Sequence, residues 1–450
     1  MSIDRCCRLL GWVLGLAVAA CGGTALAELP IEREPINYFS AKATDPIARL
    51  QERIDRAEVV LAHEEERGYL KSVLKTLNVP ESSQSLVFSK TSFQHTRIAP
   101  RTPRALYFND DVYVGFVRAG DVLEFASIDP RLGTVFYLLD QAKADKPVFQ
   151  RATHDCLQCH HSTKTEEVPG VLVRSLFPNR VGTPVFSAGS FVTTHESPMK
   201  ERWGGWYVTG THGRQRHMGN VVLQSQNPDH LDREDGANVL DLNGRVDTTP
   251  YLTRHSDIVA LMVLEHQTQL HNLITRLNYE TRTALCQEGE INKAFGRPAG
   301  SVSEGTEHRV RSYAQNLVKY MLFTEEAPLT DPVTGTSGFT EEFASRGPRD
   351  RKGRSLRDFD LQKRLFKYPC SYLVHSEGFD ALPVTAKDEV YRQLREILTG
   401  ASKAPEYARL TAEDRLAIFE ILIDTKPDLP KAWKDDLGGA GGMSAGSGGD

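Results

Sequence analysis

The chain has 450 residues, 40% of them hydrophobic and 25% charged, with a net charge of −5 and a pI near 6.3. That length gives material for about two to three domains by the usual prior. The charge balance offers no broad basic surface of the kind that gathers nucleic acid, so nucleic-acid binding is disfavoured.

Residues 1–27 read as an export signal. Arg5 and Arg8 form a short basic region, residues 9–20 supply an apolar run too short to span a bilayer comfortably, and small residues follow. Two cleavage points fit. Val18-Ala19-Ala20-Cys21-Gly22 looks like a bacterial lipobox and would leave a lipid anchor on Cys21, whereas Ala25-Leu26-Ala27 before Glu28 fits an ordinary A-x-A site. Either route predicts a periplasmic or envelope-associated protein. Of the seven cysteines, Cys6 and Cys7 leave with the signal, Cys21 leaves or is lipidated, and Cys156 and Cys159 share a motif. Cys286 and Cys370 remain, and an oxidising compartment admits either a disulfide between them or two separate buried thiols.

Residues 28–85 predict a helical segment. Asp45-Pro46 is a cap followed by a first-turn proline, Ile47, Leu50, Ile54, Ala57 and Leu61 recur at helical spacing, and a second helix is expected to run to Leu77. Over residues 86–150 the period becomes strand-like. Residues 105–108, 112–117, 122–128 and 134–139 are rich in β-branched and aromatic side chains and are separated by turn signals at 109–111, 119–121 and 129–133. This predicts an antiparallel meander.

Cys156-Leu157-Gln158-Cys159-His160 follows at once. Two thiols three positions apart can add to the two vinyl groups of a porphyrin, and the adjoining histidine can then reach the iron. With seven cysteines and 14 histidines, chance would produce such a pentapeptide about 0.003 times in a shuffled chain. A structural zinc site needs two further ligands, usually from a second paired motif, and the remaining cysteines do not form one. A thioredoxin-like redox pair needs a strand–helix context that the following His161-Ser162-Thr163-Lys164 does not suggest. The motif therefore predicts one covalent haem c, attached through Cys156 and Cys159, with His160 as the proximal iron ligand.

The pentapeptide resembles that of c-type cytochromes. Together with residues 104–111, 171–220 and 367–383 it is similar to large, exported single-haem proteins described as cytochrome-c-domain proteins. That resemblance implies haem c, an envelope location and electron transfer, but no settled reaction. The strand-rich segment before the motif departs from small cytochromes c, so a simple small cytochrome fold throughout is not expected.

The sixth iron position separates electron carriage from chemistry on a ligand. Residues 151–253 are expected to form a haem-binding region with long loops. Within it, residues 203–219 combine Trp203, Trp206 and Tyr207, suited to packing on a porphyrin, with Arg214 and Arg216, suited to its propionates. His212, His217 and Met218 in the same run are distal-ligand candidates; the plain alternative is a glycine-punctuated core segment. His266 is a fourth candidate. It sits on the apolar stripe of a helix expected over residues 256–282, where a histidine is more often a satisfied core residue.

Residues 254–436 predict further helices at 304–323, 387–398 and 412–423, with a turn-rich stretch at 328–348 and a mixed-charge loop at 349–354. Residues 437–450 predict a disordered glycine-serine tail. The expected class is α+β, with the antiparallel meander before the haem motif and a mainly helical C-terminal half. The expected function is that of an exported c-type cytochrome passing electrons between envelope redox partner proteins. The alternatives are a haem-dependent oxidoreductase acting on a small-molecule oxidant or reductant such as peroxide or a nitrogen oxide, and a redox or ligand sensor.

Overall fold

The computed structural model describes residues 29–225 and 227–440. The stretch read as an export signal, Cys21 and residues 441–450 lie outside the described residues. Asp45 starts α1 (Pro46–Asp55) by accepting the Ile47 and Ala48 amides on one carboxylate oxygen, and Ile47, Leu50 and Ile54 bury the helix's apolar stripe. Ala57 lies past the helix end with a positive φ of 57°, so the predicted periodicity through Leu61 outlasts the helix itself. A short α2 (Leu70–Thr76) follows.

Six strands then pair in chain order, each antiparallel to the next: β1 (Ser85–Val87), β2 (Arg104–Phe108), β3 (Val112–Val117), β4 (Val122–Asp129), β5 (Gly133–Asp140) and β6 (Phe149–Ala152). The turns are built by acid and amide side chains. Asn109 accepts the amides of Asp111 and Val112, and Asp129 accepts those of Arg131 and Leu132 before Gly133 takes a φ of +68°. On one face Tyr137 donates its hydroxyl to the second oxygen of Asp45 at 2.6 Å, which ties the sheet to the cap of α1. The other face carries two rows of opposed residues. One row is Leu106, Gly115, Glu124, Leu138 and Gln150; the other is Tyr113, Ala126, Phe136 and Ala152.

The meander runs directly into α3 (His154–His160), which carries the pentapeptide, and a hairpin of β7 (Val173–Leu176) and β8 (Ser190–Thr193) comes next. Residues 194–257 are loops and short turns. α4 (Ile258–Phe295), 38 residues and about 57 Å long, then crosses the molecule, with residues 258–268 buried all round. It continues 13 residues beyond the predicted helix, to Gly296, whose φ of +64° closes it. α5 (Glu304–Met321), α6 (Phe339–Ser345), α7 (Glu377–Asp380), α8 (Val384–Leu398), α9 (Ala412–Thr425) and α10 (Lys431–Ala440) complete the helical half. The protein is therefore α+β, with the sheet in the N-terminal half, as the sequence predicts.

Three further details differ from expectation. α6 lies inside the stretch read as turn-rich, because Phe339 and Phe343 bury against Phe108, Phe359 and Tyr372. α10 extends helical backbone through residues 437–440, where a disordered tail was expected. Cys286 is exposed while Cys370 is fully buried, and both are free thiols, so they form no bridge.

Asp257 anchors the long helix. One oxygen accepts the Val259 and Ala260 amides, while the other accepts those of Thr336 and Ser337 at 2.6 and 2.8 Å. Replacing it by alanine strands four donors, so Asp257→Ala should lower unfolding free energy by about 2–4 kcal/mol. Gly289, in the exposed part of α4, has open space where a Cβ would lie. Gly289→Ala should stabilise by about 0.5–1 kcal/mol. Denaturant titration of both variants checks the pair, and equal effects would contradict it.

Candidate functional site

α3 is two turns long, and its spacing decides what it presents. Cys156, Cys159 and His160 stand at i, i+3 and i+4 and share one helix face, while Leu157 is buried as the helix's anchor. All three line a cavity of about 300 Å³. Its wall is the double row of the sheet, with Phe136 and Leu138 prominent. Val171, Trp206 and Leu264 of α4 line it elsewhere, and Phe93, 64% exposed, stands at its edge. The size and mostly apolar lining are those of a small-molecule or cofactor site.

The chain after α3 returns to lock His160. Glu166 and Glu167 adopt left-handed φ values of 57° and 54°, which turn the backbone so that Gly170 pairs with the histidine. The Gly170 amide donates to the His160 carbonyl at 2.8 Å, and the His160 ring bonds the Gly170 carbonyl through Nδ1, also at 2.8 Å. A carbonyl can only accept, so Nδ1 carries the proton and Nε2 keeps a free lone pair. The ring packs on Phe136 with centroids 4.9 Å apart. Burial pushes its pKa below the ordinary value, opposed in part by the bond to Gly170. Gly170 is required here: a Cβ would lie 2.2 Å from Asn272 Oδ1, and Asn272 itself donates to the Val171 carbonyl. Cys159 is exposed, whereas Cys156 is half-buried and burial raises its thiol to about 11, with Glu124 and Asp155 adding to the effect.

One part of the wall is charged. Arg104 Nη2 lies 2.7 Å from Glu124, and Glu124 also accepts from Ser92 Oγ and from Gln94 Nε2 at 2.9 Å. The guanidinium lies over Gly115, where a Cβ would come within 2.4 Å of Nη2. Sequence reasoning passed over Arg104, Gly115 and Glu124 as site residues. The available signal was two opposite charges and a glycine inside strands otherwise rich in apolar residues.

The four distal candidates lie elsewhere, and none lines the cavity. His212 bonds the Gln215 carbonyl through Nδ1, while its Nε2 accepts the Asn238 amide, so both nitrogens are occupied. Buried His217 accepts the Gly219 amide and packs on Trp203. Met218 joins Phe177, Val221 and Leu223 in a small separate core. His266 bonds His195 and Ser371 at 2.8 and 2.7 Å and stacks on Tyr320 and Phe323. The loop nevertheless reaches the cavity through Trp206, whose indole N–H donates to the Arg174 carbonyl. Trp203 is buried in the core, Tyr207 donates to the Pro100 carbonyl, Arg216 pairs with Glu234, and Arg214 is exposed. Among the described residues, no three His, Cys, Asp or Glu side chains converge as a metal-ion site, and no helix is long and apolar enough to cross a membrane.

Comparisons with protein families, with curated proteins and with solved structures gave no match.

The His160 geometry makes a spectroscopic prediction. In the folded chain without haem, histidine-selective ¹⁵N spectra should show Nδ1 of His160 protonated and Nε2 bare at pH 7. Because the folded-state pKa is lowered, acidification should protonate the ring only below the free-histidine value near 6.5. The unfolded chain then takes up the proton first, so this group opposes folding as pH falls through 6.5. Titration at or above 6.5, or a protonated Nε2 at neutral pH, would contradict the assignment.

Proposed function

We propose that the protein is an exported c-type haem protein whose single haem c is held by Cys156 and Cys159 through thioethers and by His160 through Nε2. The observation that carries this reading is the shared cavity. Two thiols and one imidazole reach it from a single helix face, and the imidazole's other nitrogen is tied to the Gly170 carbonyl. A backbone acceptor on the far nitrogen is the usual device for orienting a metal-binding histidine and raising its basicity. Haem bound there supplies a one-electron redox centre and an iron site for a further ligand.

The chain's own residues do the rest. Phe136 and Gly170 hold the imidazole in place, Phe136 and Leu138 of β5 with Ala126 of β4 exclude water, and Phe93 leaves an exposed edge toward redox partners. The zinc alternative lacks further converging ligands among the described residues.

Between carrying electrons and acting on a small molecule, the lining favours the second. Among the described residues that border the cavity, His160 is the one imidazole and there is no methionine, so the lining would offer neither usual side chain as a second iron ligand. We therefore read the protein as a haem-dependent redox protein open to a small ligand, with envelope electron transfer as the means of supplying or removing electrons.

Protein matured in a cell that attaches haem c should keep its haem through denaturing electrophoresis, and Cys156→Ser with Cys159→Ser together should abolish the stain. Haem lost on denaturation would reject covalent attachment. The ferric protein should be high-spin at pH 7 and the ferrous protein should bind carbon monoxide. A low-spin spectrum inert to carbon monoxide would instead return the protein to simple electron carriage.

A further inference from the structure

The charged patch of the cavity wall is not needed for haem attachment, and its geometry calls for a reason. Arg104 sits within β2, in a sheet whose inward rows are otherwise mostly apolar. Its guanidinium has one protein partner among the described residues, Glu124, through Nη2. Nε is shut away from solvent with no partner among the described residues. An arginine with a donor stranded in this way is under-used in a site that is otherwise mostly apolar.

Glu124 explains why the guanidinium is held still rather than why it is present. Ser92 Oγ bonds both of its oxygens at 2.9 and 3.0 Å, and Gln94 Nε2 donates to Oε1 at 2.9 Å. Gly115 clears the seat on which the guanidinium rests. Three strands and the loop after β1 thus contribute to placing one cation.

We infer that Arg104 is the anion-holding group of the cavity: it takes a small inorganic monoanion, in the size range of nitrite or hydroperoxide, beside the iron, with Glu124 and Gly115 as positioning residues. This rests on the haem reading above. The competing anion is a haem propionate, and the placement of Arg104 argues against it. Arg104 and Glu124 line the same cavity as both cysteines, and Glu124 stands opposite Leu138, two residues along β5 from the Phe136 on which His160 packs, so the pair lies near the attachment end of the cavity. In the porphyrin, the vinyl groups that thiols attack and the propionates stand on opposite edges. An arginine beside the cysteines is at the wrong edge for a propionate.

The test compares an anion with a neutral ligand in the haem-loaded protein. Azide affinity of the ferric form is read by absorption titration, and carbon monoxide affinity of the ferrous form in the same way. Arg104→Leu should weaken azide roughly ten- to hundredfold, the loss of one charged hydrogen bond. Arg104→Lys should fall between Arg104→Leu and wild type, and carbon monoxide affinity should change less than about threefold, since it carries no charge. Gly115→Ala keeps the arginine but unseats it, and should weaken azide as well. Azide binding unchanged in Arg104→Leu overturns the inference. Equal loss of azide and carbon monoxide overturns it too, because Arg104 would then only shape the cavity. A displaced midpoint potential with azide binding intact assigns Arg104 to a propionate and overturns it. Wild-type protein that carries no covalent haem defeats the underlying reading together with this one, whereas the other outcomes leave that reading standing.

Discussion

In a β-strand successive side chains face opposite ways, so the register of the meander commits whole rows of residues to one wall. Gly115 opposite Glu124, Glu124 opposite Leu138 and Phe136 opposite Ala152 follow from three pairings and are not separate choices. A slip of one residue in β4 would turn Glu124 to the opposite face of the sheet and put Leu123 and Phe125 in its row. The platform for His160, the seat of Arg104 and the apolar wall all depend on that register. The turn carboxylate and amide of Asp129 and Asn109 secure it locally, and the Tyr137–Asp45 bond secures it against the N-terminal helix.

The opposite side of the cavity depends on polar groups buried behind it. Arg202 and Glu265 form an ion pair at 3.0 Å with side chains 4% and 0% exposed. Burial raises Glu265 to about 7 against the pull of Arg202. Next to it His266 joins His195 and Ser371, and Tyr320 and Phe323 stack on both rings. Such a network is costly when incomplete, since removing one member of a buried pair typically costs about 3–5 kcal/mol. Here it joins the loop at 195–202, α4 and the segment at 371, so that Leu264 and Thr268, one residue before Glu265 and three after it, stay at the cavity wall. His266, one of four distal candidates, thus sits as a core fastener, the role a helix-stripe histidine most often has.

Much of the fold was legible along the chain. The runs rich in β-branched and aromatic residues over residues 104–140 marked the strands, because such side chains fit a pleated, largely buried sheet. Asp45-Pro46 marked the start of α1, because the side chain that caps and the ring that fits the first turn act only on their neighbours. α6 was hidden, since Phe339 and Phe343 are helical through contacts with distant aromatics and their neighbours read as turns. The long loop misled for the same reason. Its histidines, tryptophans and methionine look chemical in one dimension, yet of that group Trp206 alone reaches the cavity.

By itself the sequence determined the local facts: the pentapeptide, which places two thiols and an imidazole on one helix face whatever surrounds it, and the elements that periodicity and caps define. Tertiary structure decided what that face meets. Gly170 comes back to His160 only through two left-handed residues, and Arg104 meets Glu124 over Gly115 only because three strands pair in one register. Side-chain spacing within one helix follows from backbone geometry alone, whereas contacts between strands and returning loops exist only after the chain has closed on itself.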